Sequence, residues 1–228
     1  MARQARLVVP GLAHYVLLRG HASRQLCVDE ADRMALVQAL RVAAQTHEVI
    51  IHALALQATE VHLLARPING PALGAMVQGL GRHYVAAFNR RHGLSGTLWD
   101  GRYRAAAIEA GEPTLQALMH IDGLSLSAQA GPAVRGHRGN IASAFLVDPN
   151  EIWALGNTPF EREAAYRARL QQPLSQRSRD LLMAAVCSSR AVGSAEFLTG
   201  LANQLGRPVS PAPRGRPRRQ TGPASTPQ

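Results

Sequence analysis

The chain has 228 residues, 46% of them hydrophobic, and can therefore bury the core of one ordinary domain with an appendage, or of two small domains. It contains 25 basic and 15 acidic residues, a formal net charge of +10, and every basic residue is arginine. This excess favours nucleic acid as a partner, because arginine binds phosphate through a fixed fork of donors and stacks on bases. The chain has no run of about eighteen apolar residues, so we expect no membrane-spanning helix and no membrane partner.

The N-terminal residues and the cysteines indicate the compartment. Residues 1–6 lack the apolar core and cleavage site of a signal peptide, so we expect the protein to stay where it is made. The two cysteines, Cys27 and Cys187, lie far apart in unrelated contexts. This pattern is typical of reduced thiols in a cytoplasmic protein.

The first part of the chain alternates between strand and helix patterns. Residues 13–20 predict a strand, and residues 29–47 predict a helix with Asp29 as its N-cap. Two further strands, at 48–56 and through Arg66, flank a short turn and predict a hairpin.

A long helix is predicted at 72–92, followed by a strand at 103–109 and another helix that starts near Glu112. The resulting order is β-α-β-β-α-β-α. It predicts an α+β fold with an antiparallel sheet and helices packed on it, similar to a ferredoxin-like sandwich.

From about Gly131 the chain becomes rich in glycine, proline and arginine, which is typical of a loop. Three short helical patterns follow, at 159–170, 174–188 and 194–205. The last two of these helices have Ser175 and Ser194 as predicted N-caps. The predicted organisation of the chain is the α+β domain at 1–130, a linker at 131–150, a small helical module at 151–206 and a basic tail at 207–228.

The tail contains the sequence Arg214-Gly215-Arg216-Pro217, and no acidic residue follows Glu196. Its core resembles an AT-hook, in which an extended backbone lets arginines enter the narrow minor groove of A·T-rich DNA. The alternative is a solvated basic tail without specific contacts.

A carboxylate and an imidazole are predicted side by side on the third strand. Because side chains alternate between the faces of a strand, Glu60 and His62 point the same way, opposite to Val61 and Leu63. Such a pair could hold two corners of a divalent metal site. The alternative is a solvated sheet face that carries both residues by chance.

Arginines and aromatic residues alternate at the end of the long helix and in the loop that follows. This composition can bind a phosphate backbone and stack unpaired bases at once. The alternative is an arginine-rich helix end beside a core tryptophan. The candidate DNA-binding residues are Arg82, Arg90, Arg91, Trp99, Arg102, Tyr103 and Arg104, with Arg214 and Arg216 of the tail.

The ordered set of motifs resembles the REP-associated tyrosine transposases, which belong to the single-tyrosine HUH transposase superfamily. The resemblance covers most of the chain. It is carried by Pro10-Gly11, His14-Tyr15-Val16, Arg19-Gly20, Thr59-Glu60-Val61-His62-Leu63-Leu64, Tyr84, Phe88-Asn89-Arg90-Arg91-His92-Gly93, Leu98-Trp99-Asp100-Gly101-Arg102-Tyr103, Ala154-Leu155-Gly156 and Arg214-Gly215-Arg216-Pro217-Arg218.

The resemblance implies a DNA strand transferase of the bacterial cytoplasm, associated with the nucleoid and acting as a monomer or homodimer. Members of this family bind a DNA hairpin from repeated extragenic palindromes. A His-hydrophobic-His pair holds Mg²⁺ or Mn²⁺, and a tyrosine attacks the backbone and becomes joined to a 5′-phosphate. The metal would polarise the scissile phosphate while the phenolate acts as nucleophile.

The chain differs from the family at the positions of the metal ligands and of the nucleophile. Glu60 stands in place of the first metal histidine, so the implied metal ligands are Glu60 and His62. His120 stands at the position of the tyrosine, and Leu124 at that of a polar residue that assists the metal. His120 is therefore a catalytic position that we do not expect to function.

Three hypotheses follow. The first is a transposase-family protein that binds hairpin or single-stranded DNA with impaired strand cleavage. The second is an active metal-dependent transposase or nuclease that uses His120, or another tyrosine such as Tyr103 or Tyr84. The third is a nucleic-acid-binding regulator, with structured RNA as a possible target class.

Overall fold

The computed structural model describes residues 6–126, 145–172 and 174–210 of the chain. In chain order its elements are β1 (Ala13–Arg19), α1 (Glu30–Thr46), β2 (Val49–Leu56), β3 (Glu60–Pro67), α2 (Ala72–Leu80), a π-helical segment (Gly81–Val85), α3 (Ala86–His92), β4 (Arg104–Ile108), α4 (Glu112–Leu126), α5 (Asn150–Trp153), α6 (Pro159–Leu170), α7 (Gln176–Ser188), β5 (Ala191–Val192) and α8 (Ala195–Leu205), with a short 3-10 turn at His21–Ser23. The predicted order β-α-β-β-α-β-α is confirmed.

The strands form one sheet in the order β2-β3-β1-β4-β5. The first four strands pair antiparallel, in the order expected for two interleaved β-α-β units, so the α+β fold class is confirmed. A fifth strand that the sequence did not predict, β5, pairs with β4 in parallel at one edge of the sheet. Two residues between helices are too few to show the alternation that predicts a strand.

The two faces of the sheet carry separate apolar clusters. Val61 and Leu63 of β3 belong to the cluster that α1 and α2 cover, whereas Leu64 belongs to the cluster on the other face. The predicted alternation of β3 is therefore confirmed. We call the first side the α1/α2 face and the second side the α4 face.

The predicted helix at 72–92 is helical throughout, but it contains a π-helical segment in its middle. Gly79 packs near His47, the C-cap residue of α1, where an added Cβ would lie 3.4 Å from the imidazole Nε2. Gly81 faces Trp99, whose indole nitrogen would lie 3.5 Å from an added Cβ. An added Cβ would thus make ordinary van der Waals contacts at both positions, and the π-helical segment lies where Trp99 packs on the helix.

Helices from the predicted small helical module pack on the α4 face. Tyr166 of α6 and Leu182 and Val186 of α7 share one apolar cluster with Tyr15 of β1 and Leu118 of α4. The division of the chain into domains stays a prediction, and most of the predicted linker lies outside the described residues. Residues 211–228 lie outside them as well, so the AT-hook-like motif with Arg214 and Arg216 is not part of the described structure.

The predicted helix N-caps are confirmed. The side chains of Asp29, Ser175 and Ser194 each accept a hydrogen bond from a backbone N–H in the first turn of α1, α7 and α8. Helix α6 begins with a capping box between Thr158 and Glu161, which the sequence analysis missed. Within the described ranges, none of the helices is long and apolar enough to cross a membrane.

Candidate nucleic-acid and catalytic site

Four side chains on the α4 face form a continuous chain of hydrogen bonds. The hydroxyl of Tyr15 lies 2.8 Å from Nδ1 of His62, and Nε2 of His62 lies 3.1 Å from Oε2 of Glu60. The other oxygen of Glu60 accepts a hydrogen bond of 2.7 Å from Nε–H of Arg19. We call this group of four residues the Tyr15–Arg19 network.

The protonation state of Tyr15 determines which group donates in each hydrogen bond between Tyr15, His62 and Glu60. Tyr15 is fully buried and its hydroxyl stays protonated, because burial and the nearby charge of Glu60 raise its pKa. The hydroxyl donates to Nδ1, so the proton of a neutral His62 ring lies on Nε2. That N–H then donates to the Glu60 carboxylate.

The charge of Glu60 is stabilised within the protein. The hydrogen bond from His62 lowers the pKa of Glu60 against the opposing effect of burial, and the charge of Arg19 lowers it further. Register explains the second contact, since Arg19 on β1 lies directly opposite Glu60 on β3. Glu60 is therefore an ionised carboxylate with a resident cationic partner.

This arrangement does not present a vacant ligand to Mg²⁺ or Mn²⁺. A metal ion needs a lone pair on a ring nitrogen of His62, but Nδ1 accepts from Tyr15 and Nε2 carries the proton that Glu60 accepts. Among the residues that the structure describes, no group of three or more His, Cys, Asp or Glu side chains lies close enough to hold a metal ion. The residues as arranged therefore do not fit the divalent ion that the resemblance implies.

His120 lies next to the Tyr15–Arg19 network. Its ring centroid is 6.0 Å from that of Tyr15, and burial first, then the nearby His62 and Arg179, lowers its pKa to about 4. The imidazole is therefore neutral at pH 7. It lines a cavity of about 230 Å³ together with Leu170 at the end of α6 and Leu174 after it.

None of the chain's four tyrosines presents an available hydroxyl beside Glu60 and His62. Tyr15 is buried and donates to His62, and Tyr166 is buried and donates to Asp122. Tyr84 donates to the carbonyl of Leu26, and both Tyr84 and Tyr103 pack on the α1/α2 face, across the sheet from His62. The structure thus brings Glu60, His62 and His120 together, without an accessible tyrosine.

Five of the predicted DNA-binding arginines are exposed in the described structure, and the side chains of three of these five have no hydrogen-bond or ion-pair partner there. Arg82 lies in the π-helical segment, Arg90 in α3 and Arg102 in the loop before β4. None of them forms an ion pair with a residue in the described ranges. We call these three residues the basic surface, and their guanidinium groups are available to an anionic partner.

Arg91 is held by two carboxylates of the N-terminal turn of α1. Its guanidinium pairs with Asp29 at 2.5 Å and with the buried Asp32, which also accepts a hydrogen bond from His92. Burial opposes ionisation of Asp32, but hydrogen bonds from the Val28 N–H, Arg91 and His92 outweigh it and lower its pKa. Arg91 therefore fastens α3 to α1.

Of the other predicted DNA-binding residues, Arg104 and Tyr103 also have partners in the fold. Arg104 donates to the backbone carbonyl of Cys187 at the end of α7. The guanidinium of Arg6 lies 3.9 Å from the ring centroid of Tyr103 and covers one face of that ring. Trp99 is half-buried, and its indole N–H makes no hydrogen bond with a described residue.

The loop that carries Trp99 is joined to the end of β1. Trp99 forms an isolated bridge with Gly20, and the Asp100 N–H donates to the carbonyl of Arg19 at 2.8 Å. The N–H of His21 donates to the carbonyl of Leu98 at 2.9 Å. The loop next to the basic surface and the Tyr15–Arg19 network therefore meet at Arg19.

Sequence reasoning missed Tyr15 and Arg19 as parts of the site. In the sequence, both residues contribute only to the family resemblance. The signal that could have found Arg19 is the pairing of β1 with β3, because cross-strand neighbours of opposite charge interact. Strand register depends on long-range pairing, and the individual strand patterns do not give it.

Comparisons with known proteins give structural neighbours only. No protein-family model matches the chain, and no curated protein matches it either. One similar solved structure is a REP-associated tyrosine transposase bound to a REP hairpin; it is 14% identical, with a TM-score of 0.44, 53% of this chain covered and 70% of that one. Another is a candidate transposase from Deinococcus radiodurans R1; it is 23% identical, with a TM-score of 0.37, 48% of this chain covered and 88% of that one.

Proposed function

We propose that this protein binds hairpin or single-stranded DNA and does not cleave it. The observation that carries the proposal is the basic surface of Arg82, Arg90 and Arg102, whose exposed guanidinium groups have no ion-pair partner among the described residues. In a chain with a net charge of +10, such groups supply the phosphate contacts from which most sequence-independent affinity arises. The REP hairpin bound by one of the similar proteins suggests which DNA to test first.

The positions of the tyrosine hydroxyls support the proposed loss of cleavage. A phenolic nucleophile must be accessible and close to the group that activates the phosphate. Tyr15 is close to His62 but fully buried, and its hydroxyl is already a hydrogen-bond donor. The hydroxyl of Tyr84 is engaged with Leu26, and Tyr103 packs on the opposite face of the sheet.

The tail and the assembly extend this proposal. Arg214 and Arg216 would add contacts in an A·T-rich minor groove, as the AT-hook-like motif implies. We expect a monomer or a homodimer in the bacterial cytoplasm, associated with the nucleoid. Removal of residues 211–228 tests the tail, since its contribution should be larger on A·T-rich duplex than on a G·C-rich one.

The test uses a labelled single-stranded DNA hairpin with Mn²⁺, run in parallel on a native gel and on a denaturing protein gel. We expect a native shift that weakens as salt is raised, and no covalent protein–DNA band. A shift that salt does not weaken, or no shift at low salt, would contradict DNA binding through the basic surface.

The same gels distinguish DNA binding without cleavage from the two alternative functions, an active strand transferase and an RNA-binding regulator. A covalent band that disappears in His120→Ala would make His120 a nucleophile and the protein an active strand transferase. His120 is the candidate because it is neutral and lies beside His62. Tighter binding of an RNA hairpin than of its DNA equivalent would indicate an RNA-binding regulator, because a DNA-adapted site should reject the A-form helix.

A further inference from the structure

The end of β1 places a guanidinium where the resemblance implies a divalent cation. Arg19 lies opposite Glu60 in the register of β1 and β3, and its Nε–H donates to Oε1 of Glu60 at 2.7 Å. A guanidinium stays charged over the whole pH range in which proteins are folded. Glu60 therefore has its counter-charge without a metal ion.

The other polar groups of the Tyr15–Arg19 network are already hydrogen-bonded to each other. Oε2 of Glu60 accepts from His62, and the second ring nitrogen of His62 accepts from Tyr15. A divalent ion at this place would have to break the contact between His62 and Glu60. It would also lie close to the positive charge of Arg19, which repels it.

Arg19 has donors left over. Only its Nε–H contacts Glu60, and its two terminal nitrogens make no hydrogen bond with a described residue. Its side chain is 38% exposed, and it lines a cavity of about 460 Å³ together with the hydroxyl residues Ser23 and Thr59. The carboxylates of Glu60 and Asp100 and the imidazole of His21 also line this cavity, and Arg19 is the permanently charged cation among its lining residues.

We propose that Arg19, oriented by Tyr15, His62 and Glu60, takes the place of the divalent cation and contacts a DNA phosphate without a metal ion. The identity of the ligand rests on the proposed function. The role of Arg19 as the cation of the network does not.

The first test titrates Mn²⁺ into the full-length protein and follows free Mn²⁺ by electron paramagnetic resonance. We expect no ion bound with one-to-one stoichiometry at the network. One Mn²⁺ per chain that is lost in Glu60→Gln would overturn the proposal. His62→Ala gives a second variant for the same comparison, and circular dichroism checks that both variants are folded.

The second test measures affinity for the DNA hairpin with Mg²⁺ and with a chelator. We expect the same affinity in both conditions, and a loss of about tenfold or more in Arg19→Gln, since the variant loses a charge-assisted hydrogen bond to phosphate. Arg19→Lys should recover part of the loss, because it keeps the charge but not the planar fork.

A matched control is Arg167→Gln. Arg167 also pairs with a glutamate, Glu163, but on α6, and its replacement changes the net charge by the same amount. We expect this control to weaken binding only slightly. Equal effects of the Arg19 and Arg167 variants, or a loss of binding in chelator, would overturn the proposal.

The two tests also separate this proposal from the proposed function. If the wild-type protein binds no hairpin even at low salt, DNA binding itself is contradicted. The Mn²⁺ titration still decides whether Arg19 or a metal ion is the cation of the network, because it uses no DNA.

Discussion

The hydroxyl of Tyr15 donates a hydrogen bond of 2.8 Å to Nδ1 of His62, across two neighbouring strands of the sheet. This contact fixes the tautomer of His62, so that Nε2–H points at Glu60. The orientation of the whole Tyr15–Arg19 network therefore depends on one buried hydroxyl.

Removal of that hydroxyl should destabilise the protein. Tyr15→Phe leaves the buried Nδ1 of His62 without a donor, which costs about 1–3 kcal/mol in the free energy of unfolding. Tyr103→Phe is the control, because the hydroxyl of Tyr103 makes no hydrogen bond with a described residue. Urea denaturation of both variants measures the difference, and equal stabilities would contradict the assigned role of Tyr15.

Adjacent arginines in α3 should behave differently when replaced. Arg90→Ala removes an exposed, unpaired guanidinium, so we expect weaker DNA binding at an unchanged Tm. If Arg90 contacts a phosphate of single-stranded DNA, the slope of log affinity against log salt should fall by about 0.7. Arg91→Ala breaks the pairs with Asp29 and Asp32, so we expect a lower Tm.

Thermal melts and binding at several salt concentrations test both variants. A drop in Tm for Arg90→Ala, or an unchanged Tm for Arg91→Ala, would show that the two roles are wrongly assigned.

Stability should fall as the pH drops from about 6.5 to about 4. Burial lowers the pKa of His14 to about 4, against a smaller opposing effect of its hydrogen bond to the Leu12 carbonyl. The remaining ring nitrogen accepts the Val9 N–H, so protonation would break that bond. Between the two pKa values only the unfolded chain binds the proton, so His14 alone lowers the free energy of unfolding by roughly 3 kcal/mol across this range.

His120 adds to this effect with the same sign, since burial likewise lowers its pKa to about 4. Urea denaturation between pH 4 and pH 7 measures the slope of stability against pH. His14→Gln should give a shallower slope than the wild type. A slope identical to the wild-type slope would refute the contribution of His14.

A methyl group at Gly20 should disturb the junction between Arg19 and the Trp99 loop. The Cβ of an alanine there would lie 2.1 Å from the carbonyl oxygen of Arg24, which is backbone and cannot move aside by a rotamer change. We expect Gly20→Ala to lower stability by about 1–3 kcal/mol and to weaken DNA binding through Arg19.

Gly70→Ala is the matched control, because no heavy atom lies within 4 Å of its added Cβ. Calorimetric melts compare the two variants. If both melt at the wild-type temperature, the close approach at Gly20 is not a constraint on the fold.

Local patterns in the sequence were enough to predict most of the elements. Helix α6 has the bounds that its apolar spacing predicts, and Asp29, Ser175 and Ser194 cap their helices as expected. These features depend on residues within one or two turns, so the sequence carries their whole signal. The placement of Glu60 and His62 on one face follows from the two-residue period of a strand in the same way.

The roles of individual site residues depended on contacts between distant parts of the chain. Arg90 and Arg91 are neighbours of the same type, yet only Arg91 meets two carboxylates, because α3 packs beside the start of α1. Strand β5 is recognisable only by its pairing with β4.

Composition and short-range periodicity are enough to predict the α+β order, the helix caps, the positive charge and the shared face of Glu60 and His62. The contacts of Arg19 with Glu60 and of Tyr15 with His62 depend on strand register, which joins residues more than forty positions apart and is visible only in the folded chain. That register places a guanidinium beside Glu60 and makes the candidate metal pair part of a closed hydrogen-bonded network.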